Sequence, residues 1–180
     1  MATDGQKRSD PKRLLAWGLV LVLAVVTAWQ AGLFNRTPHI ALLTAGGDPF
    51  WEITISGAQA AAKKYDIRLS VYKPTTADEQ TSVMRDLLAG GVDGIAVSPL
   101  NVKMQSNDFQ RAAAATSLLT LDSDIPVAGR LCFVGTDNYA AGRRCGEMVR
   151  RAMPDGGRVL VSIGSIDKAN GRQRRQGLID

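Results

Sequence analysis

From Arg36 onward, short apolar runs alternate with segments of helical periodicity, and this alternation constrains the fold more than any other feature of the sequence. The first run, residues 40–43, is continuously apolar, as is typical of a strand buried on both faces of a parallel sheet. Further runs at 67–72, 92–98 and 117–121 complete a β-α-β-α-β-α-β series. Because parallel strands are joined by right-handed crossovers, the series predicts an α/β fold, a Rossmann-like parallel sheet flanked by helices.

The turn after the first run predicts the start of a helix at Pro49. Asp48 is a favoured N-cap residue, and proline suits the first helical position because no backbone N–H is needed there. Phe50 and Trp51 follow in the first helical turn. In a doubly wound sheet, ligands bind at the edge where strands end and helices begin. These two aromatic side chains are therefore expected either to pack in the core or to form a platform on which a ligand stacks.

The regular order breaks after the fourth run. A polar loop at 122–130 leads to a fifth strand at 131–134 without an intervening helix. A helix is then predicted at 139–153, a strand at 158–163, and another helix that begins near Ala169. The chain stops inside this last helix, which favours a fragment over a finished domain.

Residues 14–34 carry no charge and are long enough to cross a bilayer as a helix. Basic residues precede this segment, so the amino end is expected to stay in the cytoplasm and the rest to be exported. A small-residue cleavage site at 26–28 favours a signal peptide, whereas the length of the segment favours an uncleaved anchor. In both cases residues 1–35 lie outside the folded domain, and the protein is periplasmic or extracytoplasmic, either secreted or tethered.

Charge and motifs argue against two classes of ligand. The net charge is +5, but part of it lies in the first thirteen residues, and the remaining excess is too small to indicate a nucleic-acid partner. The turn at 45–48 lacks the G-x-G-x-x-G spacing of a nucleotide site. No cofactor is expected.

Five segments between residues 39 and 178 form a pattern that is specific only when they are taken together. They are Asp48-Pro49-Phe50-Trp51 after the first strand, Gly91-Val92-Asp93-Gly94-Ile95, Leu121-Asp122-Ser123-Asp124, Val134-Gly135-Thr136-Asp137-Asn138 with Ala141-Gly142, and Arg172-Gln173-Arg174 ahead of Gly177. The pattern resembles the first half of periplasmic sugar-binding proteins of the ribose-binding type, the substrate receptors of ABC importers.

The resemblance implies two Rossmann-like lobes, of the type I periplasmic-binding-protein fold, that close over a sugar. Residues 36–134 would form most of the first lobe, without its C-terminal return segment. Residues 135–180 would form a hinge crossing and the beginning of a second lobe. The hinge itself would be Gly135, Thr136, Asp137 and Asn138. The complete protein is expected to be a monomer.

The resemblance also implies a set of ligand-binding residues in the first turn. Phe50 and Trp51 would contact the apolar face of a sugar ring, and Asp48 would accept hydrogen bonds from its hydroxyl groups. Thr44, at the end of the first strand, would line the floor of the cleft. Each residue also has a simpler interpretation, since the two rings suit the core and Asp48 is a helix cap.

Three further ligand-binding residues follow from the same resemblance. Asp122 would take two sugar hydroxyls, and Arg172 would reach across from the second lobe. Ser123 stands where the ribose-type pattern has an arginine, and Asp48 stands where it has an asparagine. A sugar is therefore expected, but not ribose. The simpler interpretations are a turn for Asp122 and a solvated helix face for Arg172.

Cys132 and Cys145 are the only cysteines. Export would place them in an oxidising compartment, where a disulfide between them is allowed if their Cα atoms lie within about 7 Å. A metal site is not expected, because no further cysteine or histidine ligands accompany them.

Three classes of function remain open at this point. The first is a non-catalytic sugar receptor, which either delivers sugar to the membrane permease of an ABC importer or, if anchored, presents it to a membrane sensor. The second is a phosphatase-like enzyme that uses Asp122 and Asp124, although the motif lacks its following threonine and lies on the fourth strand. The third, a transcriptional repressor, would need a helix-turn-helix where this chain has an apolar segment. The receptor is favoured, and no enzyme activity is expected.

Overall fold

A computed structural model of the protein describes residues 11–30, 36–127 and 129–180. The chain divides into two compact units, Met1–Thr37 and Pro38–Asp180. The first unit contains helix α1, Pro11–Gln30. Of the predicted apolar segment 14–34, residues 31–34 lie outside the described part of the chain. Within the described part, none of the helices combines the length and the apolar character needed to cross a membrane.

The second unit is a five-stranded parallel sheet with helices, which confirms the predicted fold class. Its strands are β1 His39–Leu43, β2 Arg68–Tyr72, β3 Gly94–Val97, β4 Ser117–Leu121 and β5 Cys132–Val134. Its helices are α2 Pro49–Tyr65, α3 Ala77–Ala89, α4 Val102–Ala115, α5 Asn138–Ala152 and α6 Ala169–Ile179. The strand order is β2-β1-β3-β4-β5, and every pairing is parallel. The order reverses at β1, so the switch point lies between the carboxyl ends of β1 and β3.

Side chains of successive strand residues pack on opposite faces of the sheet. Leu43 of β1 belongs to the core between the sheet and helices α3 and α4, where Phe109 is fully buried. Leu42 belongs to the core under α2, together with Trp51 and Ile55. This alternation explains why the strands are continuously apolar in sequence, since both faces of the sheet are buried. Each large apolar side chain buried on either face stabilises the fold by about 1.5–3 kcal/mol.

The helices that begin at the carboxyl edge of the sheet have side-chain caps. Asp48 caps α2 by accepting a hydrogen bond from the Phe50 N–H at 3.0 Å. Thr76 caps α3 by accepting one from the Glu79 N–H at 3.2 Å, and the Glu79 carboxylate accepts one from the Thr75 N–H at 2.8 Å. These bonds satisfy backbone groups that the helix cannot pair itself, so they fix where each helix starts.

The predicted strand at 158–163 is wrong. These residues are irregular, and most are exposed, with 95% of Leu160 accessible. A strand is stable only with a neighbour for its backbone hydrogen bonds, and none of the described strands pairs with this segment. The apolar pattern of this segment suits a strand, but none of the described strands supplies the backbone partner that a strand needs.

Helices α5 and α6 pack at very close range through glycines. A Cβ atom at Gly142 would lie 2.2 Å from the carbonyl oxygen of Arg174, and one at Gly177 would lie 2.1 Å from that of Tyr139. Only glycine therefore fits at these two positions. The two helices therefore pack directly against each other, with no strand between them.

Candidate functional site

A buried pair of glutamines fixes the switch point of the sheet. The Gln80 amide group donates to the carbonyl oxygens of Thr44 at 3.2 Å and Ser98 at 2.9 Å, which follow β1 and β3 directly. The Gln105 amide in turn donates to the Gln80 side-chain oxygen at 2.9 Å. Because both glutamines are buried, these bonds form away from competing water and hold the two strand ends together.

Thr44, expected on the floor of the cleft, is fully buried. Its hydroxyl lies 2.6 Å from the carbonyl oxygen of Gly46 and 3.2 Å from that of Tyr72. The hydroxyl has one proton to donate to these two acceptors, so the side chain hydrogen-bonds within the protein and stabilises the turn after β1. Gly46 has a φ of 110°, a conformation that glycine adopts without steric cost.

The two aromatic residues of the first turn are in different environments. Trp51 is 2% exposed and packs in the core under α2, whereas Phe50 is 54% exposed. Asp48 is exposed beside them, and one of its carboxylate oxygens is occupied as the cap of α2. Of the two rings of the predicted platform, only that of Phe50 is therefore open to a ligand, and Trp51 packs in the core beneath it.

Asp122 is the central residue of a tight turn at the end of β4. Its φ is 60°, and the Ser123 N–H donates to the Leu121 carbonyl oxygen across the turn at 2.7 Å. A left-handed φ is unfavourable for a residue with a Cβ atom, and such residues concentrate at binding sites. The side chain is half-buried, and one of its oxygens accepts a hydrogen bond from the Asn170 amide at 3.1 Å.

The pKa of the Asp122 carboxyl is raised above its ordinary value of 3.8, chiefly because burial disfavours the charged form. Lys168, the hydrogen bond from Asn170 and Arg174 act in the opposite direction. The negative charge of Asp48 raises the pKa further. Asp48 and Asp122 therefore lie close enough at this rim to interact electrostatically, while two cations from the α6 region face Asp122.

Ser123 has a different role from the one expected. It is fully buried, and its hydroxyl oxygen accepts a hydrogen bond from the Ala169 N–H at 3.3 Å. Helix α6 has no side-chain cap of its own, so Ser123 supplies an acceptor for the first N–H of that helix. The residue does not replace the missing arginine as a donor; it joins the Asp122 turn to the start of α6.

Arg172 does not bond to Asp122. Its guanidinium donates to the carbonyl oxygens of Ile166 at 3.0 Å and Asp167 at 3.1 Å, and so holds the loop before α6. The α6 residue that does bond to Asp122 is Asn170, which sequence reasoning missed. Its only signal was its position at the start of the last predicted helix, two residues before Arg172.

The last of the predicted hinge residues is a buried asparagine. Asn138 is 3% exposed; its amide group donates to the Thr136 carbonyl oxygen at 2.9 Å, and its side-chain oxygen accepts from Arg174 at 2.7 Å. Asp137 caps α5 through the Ala140 N–H at 2.9 Å. Gly135 is exposed. Side-chain hydrogen bonds therefore hold the second half of the crossing from β5 to α5, at Asp137 and Asn138, whereas Gly135 in its first half is exposed.

Asp124 is fully engaged within its own loop. Its carboxylate accepts hydrogen bonds from the Thr120 hydroxyl and from two guanidinium nitrogens of Arg130, at 3.0 and 2.7 Å. A carboxylate held in this way is a structural ion pair and not a free acid or base. Asp124 therefore does not suit the role of second carboxylate that the phosphatase interpretation gives it.

The cysteines do not form the candidate disulfide, since Cys132 and Cys145 are both free and exposed. They lie on β5 and α5. Within the described residues, no group of three or more histidine, cysteine, aspartate or glutamate side chains is arranged to hold a metal ion.

Two cavities lie near these residues. One of about 530 Å³ opens at the switch point, between Ala45, Leu100, Asn101 and Lys168. Another of about 600 Å³ lies between α5, α6 and residues 161–165, and is also bordered by Lys168 and Asn170. Both are large enough for a small organic molecule. The first has the geometry expected of a ligand site, because it faces the carboxyl ends of β1 and β3.

Comparison with known proteins gives one family. The sequence profile described as a periplasmic binding protein domain matches residues 40–180. No curated protein matches the chain.

Several solved structures are similar. An ABC transporter solute-binding protein from Burkholderia graminis in complex with D-arabinose is 29% identical, with a TM-score of 0.75 over 80% of this chain and 51% of that chain. A glucose-galactose binding protein from Geobacillus stearothermophilus is 27% identical, with a TM-score of 0.74 over 80% and 53%. An ABC transporter solute-binding protein from Mycobacterium smegmatis with bound glycerol is 26% identical, with a TM-score of 0.70 over 79% and 51%. The chain spans about half the length of these proteins.

Proposed function

The chain belongs to the periplasmic binding protein family, and from this premise we propose that it binds a sugar between two lobes and delivers it to an ABC importer. In this proposal residues 36–134 form the first lobe. Residues 135–180 form a hinge crossing and the beginning of the second lobe. The protein acts outside the cytoplasm, as a receptor without catalytic activity, and its partner is the membrane permease of the importer.

The observation that carries the proposal is that the exposed Phe50 ring adjoins Asp48 in the first turn of α2, and that Asp48 lies close enough to Asp122 to raise the pKa of its carboxyl. Phe50 offers an apolar face that suits the C–H groups of a sugar ring. Asp48 and Asp122 offer acceptors for its hydroxyl groups, and hydrogen bonds to a charged acceptor are about twice as strong as neutral ones. This combination suits a ligand that is neutral and rich in hydroxyls.

The contacts between Asp122 and the start of α6 support a mechanism by lobe closure. Asn170 bonds to the Asp122 carboxylate, and Ser123 bonds to the Ala169 N–H. A ligand at Asp122 would therefore contact elements of both lobes at once. Such a ligand favours the closed arrangement by the difference between its affinities for the closed and the open states.

The differences from the ribose-type pattern narrow the range of sugars that the protein is proposed to bind. Position 123, where the ribose-type pattern has an arginine, holds a buried serine, so this position offers a sugar no forked guanidinium. Asp48 can accept but not donate hydrogen bonds. Pentoses and hexoses other than ribose are therefore the ligands to test first. D-arabinose, which is bound in one similar structure, and glucose and galactose, after which another similar protein is named, belong to these classes.

The proposal is tested by calorimetric titration of the full chain with a panel of pentoses and hexoses. At least one sugar is expected to bind, and Phe50→Ala is expected to weaken that binding about tenfold, since an aromatic contact contributes about 0.5–1.5 kcal/mol beyond its buried area. Ile53→Ala is the matched control, because Ile53 is 77% exposed on the same helix. Absence of binding across the panel, or equal effects of the two variants, would contradict the proposal.

A further inference from the structure

The direction of the Asp122 carboxylate depends on an unfavourable backbone conformation. Asp122 has a φ of 60° inside a three-residue turn, a geometry that an L-residue adopts rarely. One hydrogen bond fixes its near side, from its own N–H to the Val134 carbonyl oxygen at 3.0 Å. The Asn170 amide donates a side-chain hydrogen bond to the carboxylate. Something must hold the far side of the turn, because this conformation persists only where the surroundings determine it.

The far side is held by three residues, Thr120, Asp124 and Arg130, which we call the loop clamp. Asp124 follows Asp122 by two residues, and its carboxylate accepts from the Thr120 hydroxyl and from both ends of the Arg130 fork. The side chains of Arg130 and Asp124 are 23% and 18% exposed, so water competes weakly with these bonds. Ile125, which is 2% exposed, anchors the same loop in the core.

The loop clamp ties both ends of the loop to the sheet. Thr120 is a fully buried residue of β4, and Arg130 lies just before β5. Two parallel hydrogen bonds from one guanidinium fix the orientation of a carboxylate as well as its distance. The clamp therefore restrains the backbone of residue 124, and through it the turn at Asp122.

We propose that Arg130 is a positioning residue for ligand binding, which acts through Asp124 to aim the Asp122 carboxylate into the cleft. The inference rests on the proposed function for its ligand, but not for its geometry. Arg130 itself touches no ligand. It sets the affinity by holding Asp122 in the conformation in which a sugar hydroxyl meets the carboxylate.

The test separates aiming from mere stability by reading the Asp122 carboxyl directly. In the full chain, NMR titration of the aspartate carboxyl carbons gives the pKa of Asp122, which burial raises and which Lys168, Arg174 and Asp48 also influence. Arg130→Met is expected to lower this pKa toward 3.8, because a relaxed turn exposes the carboxylate to water. Arg130→Lys, which keeps the charge without the fork, is expected to give an intermediate shift. A role confined to stability would leave the pKa of the folded protein unchanged.

Sugar affinity provides the second measurement. Arg130→Met is expected to weaken binding about ten- to hundredfold, the range for losing a hydrogen bond to a charged group, and to cause no further loss in an Asp122→Asn background. Arg111→Met is the control, because Arg111 also forms an ion pair with an aspartate, Asp108, but its side chain is 62% exposed. If Arg130→Met fails to fold, Arg130→Lys and Thr120→Val give the same two measurements. An unchanged pKa, or equal losses with and without the Asp122 carboxylate, would overturn the inference. If the parent binds no sugar, the proposed function fails while the pKa measurement still decides the aiming role.

Discussion

The rings of Phe50 and Trp51 stand edge-on to each other, with centroids 5.0 Å apart and planes inclined by 80°. Neighbouring residues of a helix point about 100° apart, so one of the two faces the sheet and the other faces outward. Trp51 is the residue that faces the sheet and Phe50 the one that faces out. The structure therefore combines the two interpretations of the aromatic pair, because the buried ring supports the exposed one.

Alanine substitutions in this pair are expected to lower the stability of the protein to very different extents. Trp51→Ala should lower the free energy of unfolding by about 3–5 kcal/mol, as is usual for a large buried aromatic residue. Phe50→Ala should change it by much less, because its ring is half in solvent. Urea unfolding of the two variants checks this. Equal losses of stability would show that the Phe50 ring is also part of the core.

The buried amide of Gln80 is expected to stabilise the switch point. Gln80→Leu keeps the size of the side chain but removes the donor to the carbonyls of Thr44 and Ser98. Each buried polar group left unpaired costs about 1–3 kcal/mol, so the variant should unfold at clearly lower urea concentration. Gln59→Leu, on the exposed face of α2, is the control and should change stability by about 0.5 kcal/mol or less. A neutral Gln80→Leu would mean that water or a relaxed backbone replaces the amide.

Sequence periodicity was sufficient for the sheet because burial on both faces leaves a clear local signal. The run at 40–43 has the continuous apolar character of a central strand, and β1 pairs with β2 on one side and with β3 on the other. The run at 158–163 has the same local signal but no pairing partner among the described strands, and it is not a strand. Local pattern shows what a segment is able to form, whereas the neighbours decide whether it forms.

The candidate site was predictable only in part for a related reason. The resemblance to the sugar-binding family pointed to Asp48 and Asp122, and both residues follow strands of the parallel sheet. The hydrogen-bond partners of Ser123 and Arg172 were not predictable in this way. Arg172 bonds to the loop just before its own helix, which its position on a helix face did not indicate. Ser123 accepts a hydrogen bond from Ala169 at the start of α6, so this contact depends on how a helix distant in the sequence packs. The same applies to Asn170, whose role depends entirely on where α6 begins.

Close packing of α5 against α6 is expected to require glycine at position 177. A methyl group there would lie 2.1 Å from the Tyr139 carbonyl oxygen and 3.0 Å from the Arg143 nitrogen, so Gly177→Ala must push the helices apart. Overpacking of this kind costs about 1–3 kcal/mol. Gly57→Ala is the matched control, because nothing lies within 4 Å of its Cβ position in α2, and there alanine should stabilise the helix by about 0.5–1 kcal/mol. Thermal unfolding of both variants should therefore give shifts of opposite sign; a stabilising Gly177→Ala would contradict the contact.

Asp122 is expected to lower stability at neutral pH while it supports binding. Its pKa in the folded protein is raised above 3.8, so the folded state binds this proton more tightly than the unfolded state does. At neutral pH the carboxyl is ionised in both states, and the folded protein carries the cost of the half-buried charge. As the pH falls through the raised pKa toward 3.8, the folded state is protonated first and this cost disappears; below 3.8 both states are protonated and the group contributes no further change.

Asp122→Asn should therefore be more stable than the parent at neutral pH, and the difference should vanish as the pH approaches 3.8. The amide can still accept the hydrogen bond from Asn170, but it offers a sugar hydroxyl a neutral acceptor in place of a charged one, so sugar affinity should fall about tenfold. Urea unfolding at a series of pH values, with Asp155→Asn at an exposed turn as the control for charge removal, measures the first effect, and calorimetric titration measures the second. An Asp122→Asn variant that is less stable at neutral pH would show that the cations near Asp122 outweigh its burial. Stability and affinity moving in opposite directions is what distinguishes a carboxylate kept for its ligand from one kept for the fold.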